Sequence, residues 1–427
     1  MSRQNIERQS FSVDTLVVGG GPAGLSAAER AARSGSVLVV HRDKEIGRPV
    51  RTSGGTWLRE MHRLHLPERV CNPIDELVFA GPTRTARIAF QTDKPAVADV
   101  TRLYQHLAEQ AIKAGAHILC GARFLHTRPE TSDSIACLIS ADGREVEVTA
   151  RFVVDASGWR REVVASLGLT SRPKRMGLGI EYEFEDLSAE KSRAALIVGN
   201  SLAPSGYGWI FPKPGNSICI GVGIIAPDAS APLAKLLEQL LSTNLPKRLG
   251  FRIGRLLERH AGIVPADAPA AAVVHNRILV VGDAAGQALP LLGEGIRFAV
   301  EFGRTAGDAV AKALENPSRW REHLHAYESY WQKQHYKRFL LAYRANKRLS
   351  AYTDRDWDEK TRLLSLMNGD ETARLLRMEL TAADALRIFT RSPVTAGTMF
   401  FGTKIRRMNS FWRSKLRNIF FLPYQWR

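Results

Sequence analysis

Gly19, Gly21 and Gly24 stand in the spacing GxGxxG, and that spacing carries a chemistry. Residues 14–18 (DTLVV) read as a short buried strand, residues 25–34 as a helix, and residues 37–40 (VLVV) as a second buried strand. Strand, glycine turn, helix and strand at this length make one βαβ unit that binds the pyrophosphate of a dinucleotide. Gly19 permits the tight turn, Gly21 lets the backbone approach the phosphates, and Gly24 lets helix and strand pack closely. Pro22 and Ala23 open the helix, whose free N–H groups and positive dipole end face the phosphates. The acidic residue expected at the end of the second strand, where it would bind ribose hydroxyls, is replaced by His41, with Arg42 and Asp43 after it. Either His41 makes the ribose contact as a neutral imidazole, or the adenosine end is held differently.

Two further strands end in similar turns. Residues 151–158 (RFVVDASG) close on Asp155. Residues 277–281 run into 282–286 (GDAAG), then 290–296 (PLLGEGI), then a helix to about Leu314. Asp283, just after its strand, can accept hydrogen bonds from a ribityl hydroxyl. A helix opening at 293–296 aims backbone N–H groups at the pyrimidine edge of an isoalloxazine, where they would stabilise a reduced, anionic flavin.

On GGGPAG, VVDASG and VGDAAG…PLLGEGI the chain resembles the glutathione-reductase-like FAD fold, in its hydroxylase and reductase branch. Two more stretches narrow the resemblance to the geranylgeranyl reductase family of FAD-dependent oxidoreductases. Residues 47–55 (GRPVRTSGG) are similar to that family's PVR(C)G segment, and 207–213 (YGWIFPK) with 221–223 (GVG) to its YGWIFPK…VGVG strand pair. The resemblance covers about residues 13–315. It implies FAD, with Gly19, Gly21 and Gly24 at the pyrophosphate and Asp155 and Gly282 in turns beside it. It places Asp283 at the ribityl chain, and Pro290, Gly293, Gly295 and Ile296 at the flavin ring. It further implies Arg51, Thr52, Ser53 and Gly54 along the flavin and Arg102 on a phosphate. Thr52 departs from the pattern, because many members carry cysteine there. No NAD(P)H-binding domain of the disulfide-reductase type is evident, so electrons would come from transiently docked NAD(P)H or a reduced electron-transfer protein.

The expected fold is α/β: a Rossmann-type FAD-binding domain with an antiparallel-sheet substrate domain and a helical C-terminal region. FAD-binding residues would fall in 13–170, interrupted by a substrate-domain insertion around 75–98, and again in 266–315. Residues 171–265 would form the substrate sheet, with strands at 179–184, 195–198, 208–212 and 217–225. Tyr207, Trp209 and Phe211 alternate, so they share one face of a strand. That face is either core packing or an aromatic wall along an apolar tunnel, where rings also stabilise cationic character at an alkene carbon.

Reducing an isolated alkene of an isoprenoid chain takes a hydride and a proton, with the protein orienting the chain and excluding water. The catalytic residues are not identified; Thr52, Trp209 and Glu294 are the candidates by position, though Glu294 would also serve as a helix cap. His62 and His65 read as surface or loop residues. The alternative is a flavin-dependent monooxygenase (hydroxylase, epoxidase or halogenase) on a hydrophobic small molecule, since it shares all three turns. The single tryptophan in GWIFP argues against a halogenase. A flavin-bound scaffold without redox activity is the third reading.

Composition is that of a folded protein, 44% hydrophobic and 24% charged. No apolar run reaches the roughly 18 residues that span a bilayer, and residues 1–12 lack the apolar middle of a secretory signal. Four scattered cysteines imply a reducing, cytoplasmic setting without disulfides, and no metal site is expected. The net charge is +17, and residues 401–427 hold seven basic residues and no acidic one. Helices are expected from about 318, over 358–377 and over 382–389 in the basic region 316–427. In 399–427, bulky apolar and basic residues mix. That mixture makes either an interfacial helix touching an anionic membrane face, or a helix packed on the body. No nucleic-acid-binding motif accompanies the charge.

Overall fold

The computed structural model describes residues 10–128 and 133–391. Its first sheet is built on the strand Ser10–Val18, whose last four residues are fully buried. Val37–His41 pairs with it on one side and Arg144–Asp155 on the other, both parallel. Ile278–Val280 and His117–Cys120 extend the parallel sheet outward. Residues Val18, Asp155 and Val280 lie in register. The turns that follow these three strands therefore sit side by side at the carboxyl end of the sheet, where α/β sheets hold their ligands. The first half of Arg144–Asp155 also pairs antiparallel with Ile135–Ala141, which in turn pairs with Arg123–Thr127.

Helices Pro22–Ala31 and Ile296–Glu315 cover this sheet and touch backbone to backbone. A Cβ at Gly303 would lie 2.3 Å from the Ala23 carbonyl oxygen, and one at Gly307 2.4 Å from that of Ala27. The close packing brings the N-termini of both helices to the same end of the sheet.

The second sheet has seven strands in the order Ile253–Pro265, Met176–Asp186, Ser217–Ala226, Tyr207–Pro212, Arg193–Ile197, Glu76–Ala80 and Thr85–Ala89. All its pairings are antiparallel except that between Arg193–Ile197 and Glu76–Ala80. Strand alternation splits its side chains between two cores. Val78, Ala195, Ile197, Ile210 and Ile220 pack behind the sheet against helix Leu233–Ser242. Leu77, Phe79, Leu196 and Trp209 point to the other face, with Tyr207 and Phe211 packed against them.

The C-terminal region runs Trp320–Tyr330, a π-helical turn Trp331–Tyr336, and Lys337–Leu349 as one continuous helical length. Trp331, Phe298, Phe302 and Phe339 interlock edge to face beneath it. The single helix expected over 358–377 is two, Asp354–Leu364 and Gly369–Leu376. Capping boxes at Thr353/Asp356 and Asn368/Glu371 start each one afresh. These short helices pack on the open face of the second sheet, where Ala373 and Leu376 join its core. Arg377, fully buried, latches them down: it pairs with Asp93 and Glu379 and its guanidinium lies 4.8 Å from the Trp57 ring. Among the described residues no helix is long and apolar enough to cross a membrane, and all four cysteines are free. The interfacial stretch expected at 399–427 lies outside the described residues.

Candidate active site

A cavity of about 1290 Å³ starts at the carboxyl end of the first sheet and continues between the second sheet and the C-terminal helices. Its first end is made of backbone. Gly19 adopts φ +115°, a conformation open to glycine, and a Cβ there would meet the Ala156 carbonyl oxygen at 2.2 Å. Gly21 is the N-cap of helix Pro22–Ala31 and the helix end has no side-chain cap. Its free N–H groups thus open into the cavity, lined here by Gly19, Gly21, Pro22 and Ala23. Gly24 sits one layer below, where a Cβ would come within 1.9 Å of the Gly19 carbonyl oxygen.

His41 and Arg42 line the cavity beyond this turn. The Gly20 N–H donates to His41 Nδ1 at 3.2 Å, which fixes a neutral ring with its other nitrogen toward Asp43 at 3.6 Å. Burial lowers the His41 pKa and favours that neutral form. Trp159 and Arg160 complete this end and carried no sequence signal. Arg51, Thr52 and Ser53 form one wall of the middle. The Arg51 guanidinium is held by Asp43 at 2.7 Å. Gly282, Asp283, Pro290, Gly293, Gly295 and Ile296 form the opposite wall. The Asp283 carboxyl accepts no hydrogen bond among the described residues, and burial pushes it up to about 6.

Six expected contacts do not reach the cavity: Gly24, which packs beneath the turn, and Gly54, Arg102, Asp155, Phe211 and Glu294. The Arg102 side chain is 71% exposed and turns back to Asp99. Asp155 is buried, and its oxygens accept from the N–H groups of Ser157, Val163 and Val164, so it is spent on its own turn. Gly54 packs on Ala98, where a Cβ would lie 2.3 Å from the carbonyl oxygen. Phe211 belongs to the core beside the site rather than to its wall. Glu294 is not a cap: Gly295 holds that position, and the Glu294 carboxylate takes Arg297 at 2.6 Å. His62 and His65 are exposed.

Tyr207 and Trp209 do line the cavity. The Tyr207 hydroxyl donates to the Leu292 carbonyl at 2.6 Å, tying the second sheet to the loop before helix Ile296–Glu315. The Trp209 indole lies against neighbouring strands at positions that hold glycine. A Cβ at Gly221 would strike it at 2.3 Å, and Cβ atoms at Gly179 and Gly223 would sit 3.2 and 3.4 Å away. Its N–H donates to Glu181 at 2.7 Å. The lining also takes in Leu196, Phe79, Leu349, Leu363, Leu376 and Leu380, together with the basic residues Arg344, Arg348 and Lys360. Sequence reading missed Glu181, His260 and this helical wall, because only tertiary packing brings them there.

An FAD binding domain model matches residues 12–333. Digeranylgeranylglycerophospholipid reductase 2 of Methanothermobacter thermautotrophicus is 32% identical over 381 residues, covering 86% of this chain and 94% of that protein. The chain belongs to the geranylgeranyl reductase family of FAD-dependent oxidoreductases. Among solved structures, a geranylgeranyl bacteriochlorophyll reductase-like protein of Thermoplasma acidophilum shares its fold (TM-score 0.78, 22% identity, 90% of this chain and all of that one). A myxobacterial chondrochloren halogenase, FAD-dependent, shares the fold more loosely, at TM-score 0.63 and 18% identity over 90% of this chain and 92% of its own. The cofactor of this family member is FAD, and the residues present fit it. A helix N-terminus without a side-chain cap and an unpartnered, half-buried carboxyl, Asp283, face one cavity.

Proposed function

We propose that the protein saturates carbon–carbon double bonds of an isoprenoid chain carried by a lipid. The observation that carries this reading is the continuity of the cavity. It runs from the cofactor residues past Tyr207 and Trp209 into an apolar channel under the C-terminal helices. Relatives named digeranylgeranylglycerophospholipid reductase support the same chemistry.

Bound FAD, once reduced, would supply the hydride. Gly19, Gly21 and the first helix N-terminus would hold its pyrophosphate, Asp283 its ribityl hydroxyls, and the 293–296 turn the ring edge. Tyr207 and Trp209 would orient the alkene, and the leucine-lined helices would keep water away. NAD(P)H or a reduced electron-transfer protein would recharge the site. Peripheral contact of the basic 399–427 stretch with an anionic membrane would bring the enzyme to its substrate.

The test uses FAD-loaded protein reduced with dithionite and mixed, without oxygen, with a geranylgeranyl lipid in detergent. Flavin reoxidation together with a product gaining two hydrogens per double bond is expected. Reoxidation that needs oxygen, with a product gaining an oxygen atom, would replace this reading with a monooxygenase.

A further inference from the structure

A chain of titratable side chains runs from the protein surface to the cavity wall. Glu258, 40% exposed, is gripped by Arg48 through both carboxylate oxygens. One of those oxygens also lies 3.0 Å from His260 Nε2. His260 Nδ1 lies 3.0 Å from one oxygen of Glu181, and the second Glu181 oxygen accepts from the Trp209 indole. Glu181, Trp209 and His260 all line the cavity. Glu183 approaches His260 Nε2 at 3.8 Å and is itself paired with Lys213 at 2.7 Å. Cys219 is buried beside them with its thiol pushed well above the ordinary range by burial. Arg259 turns away over Tyr182.

Both ring nitrogens of His260 therefore face carboxylate oxygens at hydrogen-bond distance. A neutral imidazole donates from only one nitrogen. The array must hold an additional proton, on the ring or on a carboxyl. Burial opposes a charged ring, yet the hydrogen bonds to Glu181 and Glu258 win and raise the His260 pKa.

We propose that Glu181 is the proton donor of the cavity, reloaded from solvent through His260 and Glu258. The inference rests on the alkene-reductase reading. A hydride from the reduced flavin, with its two electrons, forms one C–H bond. The Nδ1–H bond of the protonated His260 ring breaks as that proton moves onto Glu181, and the Glu181 O–H so formed breaks in turn to make the second C–H bond on the neighbouring carbon. The π bond is lost, the flavin ends oxidised, and Glu181 ends as a carboxylate. The ring is left neutral with its proton on Nε2; that proton exchanges to Nδ1, and water delivers a new one to Nε2 through Glu258, which restores the doubly protonated ring. Trp209 fixes the Glu181 carboxyl in place, and His260 acts through Glu181 as a positioning and relay residue.

The test compares wild type with Glu181→Gln, His260→Gln and Glu258→Gln as full-length, FAD-loaded proteins, using geranylgeraniol in detergent as probe. E181Q is expected to take up FAD and accept electrons from dithionite normally while single-turnover alkene reduction falls about 100-fold or more. The wild-type rate should fall as pH rises through the array's pKa, and H260Q should lose that limb with KM little changed. Carbon-13 histidine spectra of the resting, oxidised protein give a readout free of turnover. One resonance, absent in H260Q, should stay protonated above neutral pH and titrate lower in E181Q. If E181Q does not hold FAD, the pH limbs of H260Q and E258Q decide. E181Q turning over within about threefold of wild type, an unchanged limb in H260Q, or a stoichiometric metal on Glu181, Cys219 and His260 would overturn the proposal. Wild type inactive on prenyl probes would instead sink the reductase reading itself.

Discussion

A Cβ at Gly24 would sit 1.9 Å from a carbonyl oxygen five residues away, whereas a Cβ at Gly221 would strike an indole that arrives from another strand. Both glycines make room, but for different things. At the end proposed for the pyrophosphate, room is made for backbone, and the donors on offer are N–H groups of one turn and one helix. At the alkene end, room is made for a side chain, and the wall is assembled from the second sheet and helices from the far end of the sequence. The first design is local and rigid. The second is assembled by long-range packing, so it can be altered without losing the first.

Gly24→Val gives the largest effect and tests that separation at its strong side. The added methyls have nowhere to go, the first turn opens, and the purified protein should carry no flavin by visible absorbance. Gly221→Ala should keep its flavin but displace the Trp209 ring. A G221A protein without flavin would show that the two ends are not separable.

Arg377→Met comes next. The arginine is fully buried and pairs with Asp93 and Glu379. Removing it leaves Asp93 and Glu379 with only the flanking Arg59 and Arg338 as partners and costs about 1–3 kcal/mol. Denaturant unfolding should show this loss, while flavin content in buffer stays near wild type because the latch lies on the substrate side. Substrate KM should rise as the helical wall loosens. A loss of flavin instead would mean that the C-terminal helices support both ends.

Trp209→Phe is a smaller change. It keeps an aromatic ring over the glycine positions and deletes the hydrogen bond to Glu181. Leaving one buried carboxylate oxygen unpartnered costs about 1–3 kcal/mol, to be read as lost kcat with the flavin spectrum unchanged. A spectrum that shifts would place the indole on the ring rather than on the substrate.

How much of this was legible in the sequence follows the same divide. The three turns could be read because each is a short run of residues whose spacing dictates backbone geometry. Gly19 and Asp283 landed on the cavity for that reason. The alternation of Tyr207, Trp209 and Phe211 correctly placed them on one face, but not which of them meets the cavity, since that depends on what packs opposite. Arg102 and Asp155 illustrate the limit from the other side. Each has a chemically apt side chain near a phosphate-binding turn, and each is consumed by a nearer partner, one by Asp99 and the other by backbone N–H groups. Glu181 and His260 are 79 residues apart and meet only because Met176–Asp186 and Ile253–Pro265 pair in the register that opposes them. The break in the 358–377 helix was encoded by Asn368 and Glu371, whose capping box outweighs the helical periodicity across it.

Asp283 offers the finest test, because it sits where the two ends of the cavity meet. Burial alone raises its carboxyl to about 6. A raised acid binds its proton more tightly when folded. In the flavin-free protein the Asp283 contribution to stability should therefore be fully present below about pH 4 and be lost as pH rises through about 6. Ribityl hydroxyls donating to the ionised form would reverse the preference and pull the pKa down. Proton and cofactor then compete. FAD affinity should be greatest above pH 6 and weaken by at most about tenfold per pH unit below it. Asp283→Asn should bind FAD more weakly at neutral pH and show a flat profile across the same window. Flavin fluorescence titrations from pH 5 to pH 7 would measure both. A flat wild-type profile would detach Asp283 from the ribityl chain. The recognition of FAD would then fall on the glycine turn and the helix ends alone, and the contrast between a backbone-built end and a side-chain-built end would be sharper still.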